Sequence, residues 1–448
     1  MIFLYIKNIE NMILNKIFKY SNQAEKFFSI VVVLLLVEGV FRKWILPDSL
    51  GNIFMIIRDP FVAYIVIKNY RLINNNLIVQ LIVITGVILF FTTLIVGHHN
   101  IIVALYGIRI WLIYLPAIFI FGKQLSYSYI ERVGFLFVKI LPFIVALSIL
   151  QFVSPVGAFV NKGLNYDIDM SKSAGEAMLR PSGIFTSIAG LACYYTITFP
   201  FLLYFWTFRK DVVKKNFIFL AICLYVISIP VSISRTHFLF SLANMIFYLG
   251  ILNRQKISKI FSLCIVIIVS VFVMQEIPAT NVFVDTFLTR FEGASKTEGG
   301  TANSAMQRTL GDALDVLQND IPIFGYGEGY CTNFGIKMIT GVVGVSNIKD
   351  SKAQKIYLDS EMEWSRIITE DGIVLGVLMI LFRLFLGLSF LKTAYNLKCM
   401  GYKIPWLFLG PPLIFITTMP MKQPFSVCFM FIYGAIFIAF SQYKISNL

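Results

Sequence analysis

Charge is scarce in this chain. Of 448 residues only 14% are charged, against 58% hydrophobic, and the mean hydropathy is +0.78. Soluble domains carry about 25% charged and roughly 45–50% apolar residues, so a water-soluble fold is excluded and the chain needs lipid as its solvent. Histidine is nearly lacking, with residues only at 98, 99 and 237, which argues against a histidine-built metal site. Cysteine occurs at 193, 223, 264, 331, 399 and 428; no Cys-x-x-Cys pair is present, and all but Cys331 fall in or beside apolar runs. A disulfide framework or zinc centre is therefore not expected. The glycine-rich run Gly325-Tyr326-Gly327-Glu328-Gly329 lacks the following Lys-Ser/Thr and the strand–helix context of a nucleotide phosphate loop, which argues against an ATP-driven pump. No short apolar core with a small-residue cleavage site opens the chain. Instead Met1 to Lys26 mixes apolar residues with Lys7, Lys16, Lys19 and Lys26, and reads as a cytoplasmic amphipathic helix on the membrane surface.

What is abundant is apolar runs. A spanning helix needs roughly 20 mostly apolar residues. Such runs recur at about 28–46, 51–68, 77–96, 101–121, 133–153, 183–207, 216–233, 236–252, 258–275, 371–393, 404–419 and 424–441, so the expected fold is an all-α polytopic membrane protein of about 12 transmembrane helices. The net charge of +14 and a pI near 9.4 reflect cytoplasmic Lys and Arg and do not imply nucleic acid. Lys68, Arg71, Lys123, Arg132, Arg209, Lys210, Lys214, Lys215, Arg254, Lys256, Lys259, Lys392, Lys398 and Lys403 fall on alternate connections, together with both termini. The connections between them, 47–50, 97–100 and 418–423, carry only Lys422. The positive-inside bias thus makes both termini cytoplasmic and puts two long segments, 154–182 and 276–370, outside. The organisation is then a cytoplasmic N-terminus (1–26), nine spans (27–275), a large extracytoplasmic loop (276–370) and three final spans (371–448). Within that loop, Ala305 to Gln318 has apolar residues at 306, 310, 313, 314 and 317, the spacing of a helix with one wet face.

Ionisable groups inside spans are functional candidates, because each costs several kcal/mol unless paired or hydrated. Glu38, Arg42 and Lys43 fall in the first span, Arg58 and Asp59 in the second, Arg109 in the fourth, and Arg235 between the seventh and eighth. The topology gathers them toward the outer side, where Arg180, Arg308 and Arg366 also lie. Arg bonds phosphate oxygens in bidentate fashion and keeps its charge when buried, so an anionic group at the outer leaflet, such as a lipid-linked diphosphate, is the ligand such a vestibule fits. Arg42 with Glu38, four residues apart, reads equally well as a helix ion pair, and Arg58 with Asp59 as a packing pair. Arg180, Arg235 and Arg109 have no obvious local carboxylate. Lys139 and Arg383 are assigned no role, His98 and His99 read as an interfacial loop, and a lone His237 near Arg235 is weak evidence.

Four segments in order resemble the O-antigen ligase/polymerase family of bacterial membrane glycosyltransferases. Leu179-Arg180-Pro181-Ser182-Gly183-Ile184-Phe185 resembles the family's Arg-x-x-Gly-x-Phe lead into a helix, and Ser232-Ile233-Ser234-Arg235-Thr236 resembles its Ser-x-Ser-Arg-Gly/Thr turn. Gln307-Arg308 with Ile321-Pro322-Ile323-Phe324-Gly325-Tyr326-Gly327 resembles Arg…His-Pro-Leu-Phe-Gly-x-Gly, and Glu361-Met362-Glu363-Trp364 with Glu370-Asp371-Gly372 resembles His-Asn-x-x-Leu…Glu-x-Gly. The likeness covers roughly residues 180–380; Glu38 to Trp44 with Arg58-Asp59-Pro60 is also similar to a subgroup of uncharacterised members. The resemblance implies a helical membrane fold of the GT-C type and transfer of a glycan from an undecaprenyl-diphosphate carrier in the outer leaflet of the bacterial inner membrane. It implies no cofactor and no metal, with membrane lipid and a chain-length regulator or flippase as partners. Ligases of the family carry His where Glu361 stands, which favours a repeat-unit polymerase over a ligase.

The expected chemistry has two parts. Preorganised cations stabilise the leaving diphosphate, for which Arg180 and Arg235 are the first candidates and Arg308 and Arg109 the next. A carboxylate orients or deprotonates the acceptor hydroxyl, with Glu361 ahead of Glu363, both expected just outside the tenth span. Glu370 is expected to cap or anchor the helix start, and Trp364 to anchor at the interface or stack on a sugar. Other readings stay open: ligase-type transfer to a lipid or protein anchor, a carrier that flips or exports a lipid-linked glycan, or a membrane sensor or scaffold. A carrier calls for polar groups along its length and two related halves, whereas the charges here concentrate outside.

Overall fold

A computed structural model of the protein describes residues 18–47, 51, 56–73, 76–155, 157–162, 179–252, 285–289, 307–318, 321–341, 348, 351–359, 362–421 and 423–442. Among them there are helices and no strand. In chain order these are α1 (Gln23–Val40), α2 (Asp59–Lys68), α3 (Leu77–Ile95), α4 (Ile101–Gly122), α5 (Tyr127–Val153), α6 (Ile188–Thr207), α7 (Lys215–Val231) and α8 (Arg235–Leu249). After them come α9 (Asp312–Gln318), α10 (Asn333–Thr340), α11 (Ser351–Asp359), α12 (Glu363–Cys399), α13 (Ile404–Leu407), α14 (Gly410–Thr417) and α15 (Pro424–Gln442).

Six of these, α3, α4, α5, α6, α12 and α15, are long and apolar enough to cross a membrane. The chain is therefore a helical membrane protein of multi-pass type. α3 shows what lipid exposure does to a sequence: Leu77, Leu81, Ile84, Ile88, Phe91 and Ile95 recur at helical spacing and are all exposed, an apolar stripe that water would not tolerate and acyl chains do. By contrast α6 and α15 are buried over most of their length and form the centre of the bundle with the Leu115–Gly122 part of α4.

The expected span at 258–275 lies outside the described residues, as do residues 1–17 of the expected N-terminal surface helix. Gln23 to Lys26, assigned from sequence to that surface helix, are instead the first turn of α1, capped by Asn22 accepting from the Glu25 backbone N–H. The eleventh expected span is two short helices, α13 and α14. The tenth expected span, 371–393, follows a break at Gly372, and α12 also includes the segment before that break, from Glu363.

Four of the basic residues expected to share a side, Lys68, Lys123, Arg132 and Arg209, share one end of the bundle; Arg254, Lys256 and Lys259 lie outside the described residues. There Lys68 Nζ donates to Gln23 Oε1 (2.6 Å), Lys123 Nζ to the Leu72 carbonyl (2.7 Å), Arg132 Nε to the Phe18 carbonyl (2.6 Å) and Arg209 pairs with Glu131 (2.5 Å). The other end, called the loop end below, carries 97–100, 232–235, 321–341 and 418–421, and every remaining candidate residue that is described.

Candidate functional site

The first part of the loop end is an ion-pair relay. Glu38 near the end of α1 accepts from Arg42 through Oε1 (2.9 Å) and pairs with Arg58 through Oε2 (2.9 Å). Asp59, at the start of α2, holds Arg109 of α4 through Oδ2 (2.7 Å) and accepts from the Tyr114 hydroxyl through Oδ1 (2.5 Å). The Arg109 guanidinium also lies 3.9 Å from the centre of the Tyr106 ring, a cation–π contact. One sequence reading is corrected here: the ion pair of Arg58 is with Glu38, where its neighbour Asp59 was expected. Arg109, which has no local carboxylate, takes a distant one, Asp59, fifty positions away, which no local pattern could reveal. Arg42 and Glu38 form the helix ion pair that the i,i+4 spacing allows.

Wide π-helical turns accompany these cations. Phe41–Ile45 contains Arg42 and Lys43, Ile110–Tyr114 follows Arg109, and Gln307–Gly311 contains Arg308. Such turns re-aim side chains and are frequent at functional sites. The Arg308 turn packs against α9 and α12; of Arg308 itself the backbone alone is described. Glu361 lies outside the described residues.

The Arg180 segment is held from two sides. Lys43 Nζ donates to Ser182 Oγ (2.6 Å) and to the Gly183 carbonyl (3.1 Å). Gln151, in the last turn of α5, accepts from the Gly183 N–H (2.7 Å) and donates to the carbonyls of Gly183 (3.1 Å) and Val160 (3.0 Å). Next to it, Phe152 of α5 clusters with Val231 and Ile233, which fixes the Ser232–Arg235 turn on the same helix end. That turn is strained: Ile233 has φ +47°, a region that a β-branched residue rarely enters and that costs on the order of 1–3 kcal/mol. Ser234 Oγ accepts from the His237 N–H (3.2 Å) and caps α8, whose first residue is Arg235. His237 is buried, lies 3.1 Å from Ser232 Oγ through Nδ1 and stacks on Tyr195 with centroids 4.3 Å apart. The fold thus brings two separate arginine-bearing segments, 179–186 and 232–236, onto the end of α5.

The second part of the loop end is built around a break in α12. Gly372 has φ 80° and ψ 177°, a conformation reserved for glycine, and it divides Glu363–Asp371 from the apolar helix that follows. A helix ending there leaves its last carbonyls unbonded. They are satisfied by the glycine-rich loop: Tyr326 N–H donates to the Thr369 carbonyl (2.9 Å) and Gly327 N–H to that of Glu370 (2.8 Å). His98 clamps the loop from the other side, with its N–H on the Tyr326 carbonyl (3.1 Å) and its Nε2 3.0 Å from that of Glu328. His98 is therefore a loop anchor, while His99 bonds back to the Leu94 and Thr93 carbonyls of its own segment.

Glu363, expected as a base outside the tenth span, is fully buried at the start of α12. Its oxygens accept from Arg366 (2.9 and 3.1 Å), from Arg383 and from the Met421 N–H (2.7 Å). That is the geometry of an anchor for two guanidinium groups, not of a base open to a hydroxyl. Arg366 also pairs with Glu370, whose other oxygen accepts from the Cys331 N–H (2.7 Å), so Glu370 anchors the loop rather than capping a helix start. Trp364 donates from its indole N–H to the Thr417 carbonyl (2.7 Å) and anchors the half-helix to α14. Arg383, given no role from sequence, closes the cluster.

Residues assigned no role from sequence complete the site, Glu328, Asp371, Trp111 and Gln151, and Lys43, marked from sequence only as a charge in the first span, is a segment anchor. Glu328 is buried under the Trp111 indole N–H, which donates to its Oε1, and its backbone N–H donates to Thr93 Oγ1 (2.9 Å). Burial, followed by the nearby Glu370 charge, pushes the Glu328 carboxyl up to about 8. The signal was present as an acid between glycines, and as Asp371 immediately before Gly372, but their meeting is a tertiary event. No protein-family model, no curated protein and no solved structure matches this chain.

Proposed function

We propose that the protein is a glycosyltransferase that polymerises surface-polysaccharide repeat units from an undecaprenyl-diphosphate carrier at the outer face of the bacterial inner membrane. In this reading the loop end faces outward, both termini are cytoplasmic, and the chain has about 12 spans in a GT-C-like arrangement. The observation that carries it is the convergence of the Arg180 and Arg235 segments on the end of α5, with Arg235 as the first residue of a helix. A helix N-terminus adds its own positive potential to that of a guanidinium and suits phosphate oxygens.

As the bond between the donor anomeric carbon and the diphosphate oxygen breaks, its electron pair leaves with the diphosphate, and Arg180 and Arg235 stabilise the growing charge. The acceptor hydroxyl oxygen bonds to the same carbon from the opposite face, and its proton passes to a carboxylate, for which Glu361 remains the candidate. Arg109 is tied to Asp59 and stands behind Arg180 and Arg235 as a candidate for the donor diphosphate.

The test is a gel profile of surface polysaccharide in a deletion strain complemented with wild type, Arg180→Ala or Arg235→Ala. Single repeat units on the carrier, with both variants inactive at normal membrane levels, support the polymerase. Long polymer that is never attached to its anchor would make the protein a ligase, and an unchanged profile would remove Arg180 and Arg235 from the site.

A further inference from the structure

Four carboxyl groups, Glu328, Glu363, Glu370 and Asp371, are buried together with two guanidinium groups, Arg366 and Arg383. Glu363 and Glu370 take both guanidiniums. Glu328 and Asp371 are left facing each other, and Glu328 Oε2 and both Asp371 oxygens have no donor among the described residues. Two carboxylates in contact in a dry site cannot both be ionised, whereas one proton between them satisfies an oxygen on each side. The pair also bridges two elements: Glu328 belongs to the glycine-rich loop, and Asp371 ends the half-helix against which that loop is bonded.

We propose that Glu328 and Asp371 share a proton and act as a latch that seats the 321–331 loop in the break of α12, so that losing the proton loosens the loop. The groups facing Glu328 are Trp111 from α4, Thr93 from α3, His98 from the α3–α4 turn, and Arg366, Glu370 and Asp371 from α12. On its own segment Tyr326, Tyr330 and Cys331 lie nearby. Arg366 is already held by Glu363 and Glu370, so the shared proton is what balances Glu328 against Asp371.

The direction with pH follows. Seated Glu328 keeps its proton up to about 8, while a released one has its ordinary value near 4.5. Seating is strongest below the lower value, weakens through the interval between them by up to about tenfold in the opening equilibrium per pH unit, and levels off above the higher one. Burial pushes His98 down from the ordinary imidazole value.

Cys331 reports on the latch, because it is buried in the loop with its N–H on Glu370. The rate of its alkylation by a maleimide is measured on purified protein, the site located by peptide mass spectrometry, in wild type, Glu328→Gln and Asp371→Asn. Gln and Asn supply a hydrogen-bond donor that does not titrate. Dividing wild type by variant at each pH removes the intrinsic reactivity of the thiol. The expected ratio rises by about tenfold or more between about pH 6 and about pH 8.5 for both variants. A ratio flat with pH overturns the latch, as does a variant whose Cys331 is open at low pH while that of wild type is closed. Hydrogen exchange of the loop in wild type alone, corrected for intrinsic rates, gives the second reading: opening independent of pH also overturns it.

Discussion

Glu363 and Arg383 are twenty residues apart in the sequence and joined by an ion pair. A continuous helix would hold them about 30 Å apart. The break at Gly372 folds Glu363–Asp371 back along the helix that follows, so closely that a Cβ on Gly376 would lie 2.9 Å from the Ile367 carbonyl. The hairpin that results is the frame on which the glycine-rich loop sits, and its half-helix is fastened to α14 through Trp364.

Removing the charge of Glu363 takes from buried Arg383 the carboxylate it pairs with and leaves Arg366 with Glu370. Glu363→Gln is expected to cost about 3–5 kcal/mol of stability. Thermal unfolding in detergent measures it.

The conformation of Gly372 forbids a side chain. Gly372→Ala adds strain of about 1–3 kcal/mol and would set its Cβ 2.1 Å from the Ile323 carbonyl. Limited proteolysis of the 321–331 loop should become faster in this variant; a loop as resistant as in wild type would show that the break is not what seats it.

Asp59 and Arg109 are expected to behave as one unit. A double-mutant cycle with Asp59→Asn and Arg109→Gln should give a coupling of about 0.5–3 kcal/mol in thermal stability. Coupling near zero, with activity lost only in Arg109→Gln, would assign Arg109 to the donor site.

Gln151 fixes the Gly183 backbone near Arg180 by two hydrogen bonds and ties it to the Val160 carbonyl by a third. Gln151→Ala should lower polymer output by about 10- to 100-fold through misplacement of that segment, with membrane levels retained. Gln151→Glu keeps the acceptor for Gly183 N–H and should lose less.

Glu328 makes stability itself depend on pH. Its seated value is raised, so the wild type should lose unfolding temperature as pH climbs from about 5 toward about 8, and Glu328→Gln should lose less over that range.

The helical, membrane-embedded class was legible because it depends on composition and on apolar runs, which are local. Leu77 to Ile95 and Pro424 to Gln442 could be marked from sequence almost to the residue. The shared end of Lys68, Lys123, Arg132 and Arg209 was legible for a related reason, since charge on alternate connections follows from counting crossings. The sequence also marked Arg180 and Arg235 within their turns and the i,i+4 pairing of Glu38 with Arg42. It did not show that Asp59 answers Arg109, that Glu363 is locked between Arg366 and Arg383, or that Glu328 meets Asp371. Each of those depends on which distant segment the chain folds against, and in a site shielded from water the nearest opposite charge, wherever it comes from, decides whether a buried arginine or carboxyl is a structural partner or a free chemical group.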